Sequence, residues 1–507
     1  MQHTEKHPAF GKWRNRLWPF HHHEMKKLLP LVLMKFLVSV IYCILFCLKE
    51  TITVTSKGSG AEAITVLKSV VVLPAAFIAA LCYSRMSNIL KKTTLFYATT
   101  GSFLAILFLY AFALYPNADL LTPTQSADWL TSIVGETNAH WISIYRNWMH
   151  ALFFVTAELW GSIMILVVFW GFANDITSVS EAKRSYNLYI AAGNLAPMFT
   201  GMAVTWISTK LSIFAFAFTV KCLISFAIVA GLLVIGMYRY VQKRVIGSLA
   251  TEIEPSATNL KTKKEKVSFA QGIKHLLSSP YLLGIAVLVV GYGLCINLVE
   301  VAWKANLKLA FPDPSEYQAF TGVCQSMVGT FAFFISAFLG SSMLRRLGWL
   351  ATAQMAPLIV GGSGLVFLLL CSSSSFNQVL ASAIGVSPLF MLVYMGAFNN
   401  VASKIAKYSF FDPTKEMAFI PLSDAEKVKG KASIDIVGSR FGKSGAGYIQ
   451  MFLISFVGSG SVLSITHLLV PIVFLATSGW AYSVHSLNQK FSRKTREMEV
   501  ESNAALT

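Results

Sequence analysis

The chain has 507 residues, of which 55 % are hydrophobic and only 13 % charged. Soluble globular domains carry charge on about a quarter of their residues, so this composition excludes an ordinary water-soluble enzyme. The formal net charge of +18 is that of Lys- and Arg-rich cytoplasmic loops beside a bilayer, and no nucleic-acid partner is expected.

The first 27 residues are polar and basic and precede the first apolar run without a cleavage-site pattern, so they are read as a cytoplasmic segment. Within it, His21, His22 and His23 form a solvated juxtamembrane run rather than a metal site. Apolar windows of about 20 residues, the length that crosses a bilayer core as a helix, then follow in order. They lie near 28–48, 64–83, 94–115, 150–174, 188–208, 212–237, 281–302, 319–342, 350–371, 379–401, 443–463 and 465–485. The hydrophilic stretch at 240–280 divides them into an N-terminal half at 28–239 and a C-terminal half at 281–485, with a tail at 486–507. Seven cysteines lie in or beside the apolar runs, none in a C-x-x-C pair, so neither a disulfide framework nor a zinc site is expected.

Loop charge tests the count. Lys26 and Lys27 precede the first span; Arg85, Lys91 and Lys92 follow the second, Lys183 and Arg184 the fourth, Arg345 and Arg346 the eighth. The loops at 240–278 and 402–442 are rich in Lys, and the tail holds Lys490, Arg493, Lys494 and Arg496. The intervening loops are poor in positive charge; that at 116–147 holds Asp119, Asp128 and Glu136 against Arg146. Both termini are therefore placed in the cytoplasm. The fold expected is all-α: a polytopic membrane protein of about twelve spans in two six-helix halves, major-facilitator-like, with its site between the halves near the midplane.

Ionisable groups inside the spans are costly and tend to line an aqueous path. Lys35 lies in the first span, with Lys49 and Glu50 at its far end; Glu158 lies in the fourth, Lys221 in the sixth and Glu300 in the seventh. Lys304 follows Glu300 by one helical turn, and Lys443 opens the eleventh span. Lys35 and Lys221 have the alternative of snorkelling, and Lys49, Glu50 and Lys443 of an interfacial position. Basic groups around a central cavity suit a phosphorylated anion. The stretch Gly438-Ser-Arg-Phe-Gly-Lys-Ser444 imitates a phosphate-binding loop, but three residues separate its glycines where that loop needs four, and no strand precedes it.

With these residues in view, the sequence resembles the ATP/ADP translocase family of obligate intracellular bacteria and plastids. The resemblance is carried by Phe411-Asp-Pro-Thr-Lys-Glu-Met-Ala-Phe-Ile-Pro-Leu422, Lys427-Val-Lys-Gly-Lys431 and the stretch from Asp435 to Gly445. It is supported by Gly58-Ser-Gly-Ala-Glu-Ala63, Ala157-Glu-Leu-Trp-Gly161, Trp170-Gly-Phe-Ala-Asn-Asp175 and Ser180-Glu-Ala-Lys-Arg184. The resemblance implies a twelve-span nucleotide transporter working by alternating access, not an enzyme, with family-typical ATP/ADP exchange across a bacterial inner membrane. It implies that Lys49 and Lys443 meet nucleotide phosphates, and that Glu158 and Glu300 serve coupling or selectivity. Arg440 is added as a phosphate contact, with Asn194, Lys304, Lys221 and Lys35 as further candidates; no cofactor or metal is expected. One motif departs from the family. Its exchangers read Arg-Asp-x-Lys-Asp-Thr where this chain reads Phe46-Cys47-Leu48-Lys49-Glu50-Thr51. The departure keeps open the family's other activities: proton-coupled import of GTP, UTP or CTP, with H+ as a second partner, or exchange of NAD.

Overall fold

The structure, a computed structural model, describes residues 25–177, 179–246, 278–335, 341–422, 434 and 438–504. The basic N-terminal segment with His21–His23, most of the linker and Lys427–Lys431 lie outside them. Every regular element among the described residues is helical, as a chain in lipid requires when each backbone N–H and C=O must find its partner within the segment.

Among the described residues twelve long helices follow one another. In the first half they are α1 (Met25–Thr55), α2 (Glu62–Ile89), α3 (Lys92–Leu121), α4 (Trp148–Ile176), α5 (Val179–Lys210) and α6 (Phe216–Arg244). In the second they are α7 (Pro280–Ala310), α8 (Pro314–Phe334), α9 (Arg346–Ser372), α10 (Pro388–Ala418), α11 (Ser439–Val457) and α12 (Leu463–Glu497). Ten are long and apolar enough to cross a membrane. The remaining two, α8 and α11, occupy the expected eighth and eleventh positions with 21 and 19 residues. Their apolarity is diluted by groups such as Gln318, Gln325, Ser444 and Gln450, which they bury against other helices.

Two boundaries are corrected. The apolar run at 374–384 that drew the tenth span back to 379 is a separate short helix, Ser374–Ile384. The span itself starts at Pro388, whose missing N–H suits a first turn, with Ser387 Oγ capping Phe390 N at 3.4 Å. It continues to Ala418, into what reads in the sequence as loop. The eleventh helix likewise begins at Ser439 and ends at Val457.

The helix pairs repeat. α1 packs on α4, α5 and α6, and α7 packs on α10, α11 and α12; α3 lies on α6 as α9 lies on α12. Adding six to each label turns the first set into the second. The principal contacts between halves, α5 with α8 and α2 with α11, are exchanged by the same operation. Small residues allow this close approach. A Cβ at Gly447 of α11 would collide with Ser69 Oγ and lie 2.9 Å from Thr65 O on α2; one at Gly201 of α5 would strike the α8 backbone at Gly322 and Ser326.

The two faces of the bundle differ. On the face opposite the termini the halves are stitched together: Glu62 accepts from Val462 N at 2.9 Å and Ser461 Oγ at 3.2 Å. Lys308 Nζ donates to Ser59 O at 2.5 Å and Thr137 Oγ1 to Gly458 O at 3.1 Å. Toward the terminal face, from Leu73 to Ile89, α2 buries no residue on any side.

Candidate functional site

Spacing along α1 sets up the centre. Tyr42, Phe46 and Lys49 stand at i, i+4 and i+7, one helical face. Lys49 Nζ binds Glu158 Oε1 on α4 directly, over the ring of Phe154 at 4.4 Å and beside Phe46 at 5.1 Å. The neighbouring Glu50 points across the seam instead, to Lys304 of α7 at 2.7 Å. Those two charges are in contact, yet their alignment falls short of a hydrogen bond, so the pair is ionic rather than fully satisfied.

A second bridge crosses the seam beside it. Lys68 Nζ of α2 donates to Asn297 Oδ1 at 2.9 Å and to Glu300 Oε2 at 3.3 Å, both on α7. Glu300 also holds Lys304 one turn along its own helix at 3.1 Å and accepts from Asn400 Nδ2 of α10 at 3.3 Å. Asn297 is fixed by its Nδ2 on Gly293 O at 2.7 Å.

The start of α11 closes the ring. Arg440 Nη2 donates to Ser162 Oγ of α4 at 2.5 Å. Lys443 is exposed, within electrostatic range of Glu158, Lys68 and Lys49. Ser444 and Tyr448 lock α11 to α2: Ser69 Oγ donates to Ser444 O at 3.0 Å and Tyr448 OH to Ser69 O at 3.1 Å. Lys404 of α10 completes the set, its ammonium 4.5 Å above the centre of the Phe46 ring.

Among the described residues, six cationic side chains (Lys49, Lys68, Lys304, Lys404, Arg440, Lys443) thus face three carboxylates (Glu50, Glu158, Glu300), a surplus of three positive charges. In a partly desolvated space such a surplus draws a polyanion strongly. Among the described residues no group of three His, Cys, Asp or Glu side chains is placed to hold a metal.

Of the residues singled out in the sequence, Lys49, Glu158, Glu300, Lys304, Arg440 and Lys443 come together here. Lys35, Lys221 and Asn194 do not. Lys35 is buried nearer the terminal face against the rings of Phe169 at 5.4 Å and Trp170 at 5.7 Å. Lys221 is half-buried five residues into α6, and Asn194 half-buried on α5. Sequence reasoning missed Lys68 and Lys404, and gave Glu50 an interfacial place where the structure buries it at 3 % exposure.

Other resembling segments brace the scaffold. Lys27 holds Glu181 Oε2 and Ile176 O, each at 2.8 Å, and Lys92 holds Asp175 at 2.7 Å. The block from Phe411 anchors the end of α10: Trp349 Nε1 donates to Thr414 O at 3.0 Å and Tyr281 OH to Ala418 O at 2.6 Å.

Comparison with known proteins gives this geometry a context. A family model described as TLC ATP/ADP transporter matches residues 3–491. The ADP,ATP carrier protein 1 of Chlamydia muridarum (strain MoPn / Nigg) is 40 % identical over 507 residues, covering 99 % of this chain and 95 % of that protein. A chloroplastic ADP,ATP carrier protein 1 of Arabidopsis thaliana is 39 % identical, over 94 % of this chain and 76 % of its own length. The ADP,ATP carrier protein 1 of Rickettsia bellii (strain RML369-C) is 36 % identical, covering 97 % and 98 %. Among solved structures, the nucleoside transporter NupG superposes with a TM-score of 0.53 at 13 % identity, over 90 % of this chain and 99 % of its own. A bacterial homologue of the iron transporter ferroportin gives 0.53 at 12 %, over 91 % and 98 %; at such identities both speak for the fold alone. This chain is a multi-pass membrane transporter that belongs to the TLC ATP/ADP transporter family.

Proposed function

We propose that the chain exchanges ATP and ADP across a bacterial inner membrane, with both termini cytoplasmic and the nucleotide held between a half at 28–239 and a half at 281–485. The observation that carries this reading is the net-positive cluster crossed by two ion bridges, Lys304–Glu50 and Lys68–Glu300, each joining one half to the other. Lys49, Lys443 and Arg440 receive the phosphates. Glu158 and Glu300 set which cations are free to do so.

Alternating access follows from the same charges. The halves are joined opposite the termini, and in this reading solute enters from the terminal, cytoplasmic side. Reorientation must break both bridges, which exposes buried charges in a poor solvent; breaking such a pair by removing one partner costs about 3–5 kcal/mol. A bound nucleotide supplies replacement anions and lowers that cost. The empty carrier has none, so it stays where it is, and transport is exchange. No covalent step is involved.

A second reading, proton-coupled import of other nucleotides, is favoured by one observation. Phe46 and the buried Cys47 stand where the family's exchangers carry a guanidinium and a carboxylate. Purified protein in liposomes with and without internal nucleotide decides between them. Exchange requires internal ADP and is indifferent to a protonophore; uptake into nucleotide-free vesicles that a protonophore abolishes would overturn it. Labelled ATP competed by ADP, GTP, UTP, CTP and NAD fixes the substrate, with ADP expected to compete best.

A further inference from the structure

The central cations differ in what already holds them. Lys49 is held by Glu158, Lys68 by Glu300 and Asn297, Lys304 by Glu50 and Glu300, and Arg440 by Ser162. An arriving phosphate can use one of the first three only by displacing a carboxylate. Among the described residues, Lys404 and Lys443 alone in the cluster have neither an ion pair nor a hydrogen bond to a side chain. Lys443 is already proposed as a phosphate contact. Lys404 has no assigned role.

Its surroundings fit one. Lys404 is half-buried near the middle of α10, within electrostatic range of Glu300, and its ammonium lies on the ring of Phe46. An aromatic face attracts a cation more weakly than a phosphate oxygen does. The ring therefore holds the ammonium over the cavity without competing for it once an anion arrives. Phe46 belongs to α1 and Lys404 to α10, so the contact also joins the two halves.

We propose that Lys404 is a substrate-binding residue, a direct ligand of the nucleotide's phosphate chain, which rests on Phe46 while the carrier is empty. Loading moves the ammonium from the ring to a phosphate oxygen and removes one contact between halves, so binding itself loosens the seam. The inference rests on the nucleotide-exchange reading above. It goes beyond that reading by naming a ligand and the ring that holds it.

The test needs no variant to begin with. Wild-type protein is treated with an amine-acetylating reagent, with ADP, with adenosine or with neither, and acetylation of Lys404 is read by mass spectrometry. ADP is expected to protect Lys404 and adenosine is not; equal modification in all three samples overturns the proposal. Lys404→Gln is then expected to raise the KM for ADP by about tenfold, the loss of one charge-assisted contact. Its melting temperature without nucleotide should stay at the wild-type value, with the stabilisation that ADP induces lost. Lys404→Arg should recover most of the affinity, and Phe46→Leu should shift KM by less than about threefold, because the ring only holds the ammonium. A Lys404→Gln protein with wild-type KM and full ADP stabilisation also overturns the proposal. Wild-type uptake of ADP is measured alongside: if the wild type neither binds nor carries nucleotide, the exchange reading itself fails, whereas normal wild-type exchange with an unprotected Lys404 refutes only the ligand.

Discussion

Substituting Lys304 by Gln isolates one of the two bridges between the halves. The side chains of Lys304 and Glu50 are buried, and they meet at 2.7 Å across the seam. Removing the ammonium leaves Glu300 its contacts with Lys68 and Asn400, each at 3.3 Å. Glu50 keeps no direct ion pair and only the more distant field of Lys68. Losing one member of a buried pair costs about 3–5 kcal/mol. The surviving Lys68 field places this case at the lower end, about 3 kcal/mol. Glu50→Gln should cost less, because Lys304 keeps Glu300 at 3.1 Å. The double substitution leaves no orphaned charge there, so the two effects should fall short of additivity by about 2 kcal/mol. Stability is read from unfolding in mixed detergent micelles, and exchange from ADP counterflow in liposomes. Each single variant should also lose counterflow, because the conformation the bridge holds is no longer balanced against its alternative. A Lys304→Gln protein of wild-type stability, or strictly additive single effects, would refute the bridge.

Lys49→Ala and Lys443→Ala should abolish nucleotide exchange while leaving membrane insertion intact, checked by uptake together with the amount of protein in the membrane. Lys221→Ala, which alters a lysine outside the cluster, should retain wild-type uptake. Gly447→Val, which forces α11 away from Ser69 and Thr65, should lower both stability and transport, read by the same two assays. His140, in the short helix Ala139–Arg146 opposite the termini, has its imidazole held below the ordinary value of 6.5 by burial. A lowered value means the folded state resists charging, so stability is full above pH 6.5 and falls as pH drops below it toward the folded value. A melting series from pH 8 to pH 5 should show that loss in the wild type and a smaller one in His140→Gln.

Much of the architecture was legible because a bilayer constrains sequence so tightly. Apolar length and loop charge located the helices, and the cost of a charge in hydrocarbon picked out Glu158 and Glu300. The same argument applied to Lys68, which sits in the run Thr65-Val-Leu-Lys-Ser-Val70, so that signal was available and overlooked. Lys404 was hidden for a different reason. The apolar helix at Ser374–Ile384 drew the tenth span toward the N-terminus, leaving Lys404 just beyond its end, whereas the span that starts at Pro388 runs on to Ala418 and has Lys404 near its middle. Pairings such as Lys304 with Glu50 could not be read at all. They join residues some 250 positions apart across two halves, and no local pattern encodes such a distance.

The repeat that relates the helices is not obeyed by their charges. Among the described residues the first half brings Lys49, Lys68, Glu50 and Glu158 to the centre and is neutral there, while the second brings Lys304, Lys404, Arg440, Lys443 and Glu300 and carries the surplus of three. On the nucleotide-exchange reading, an entering polyanion is therefore pulled sideways, toward the second half. Its phosphates are turned to that side by the long-range field, and short-range contacts need only complete the docking. In that reading, geometric symmetry lets the two halves rock against each other, and electrostatic asymmetry decides which of them the cargo travels with.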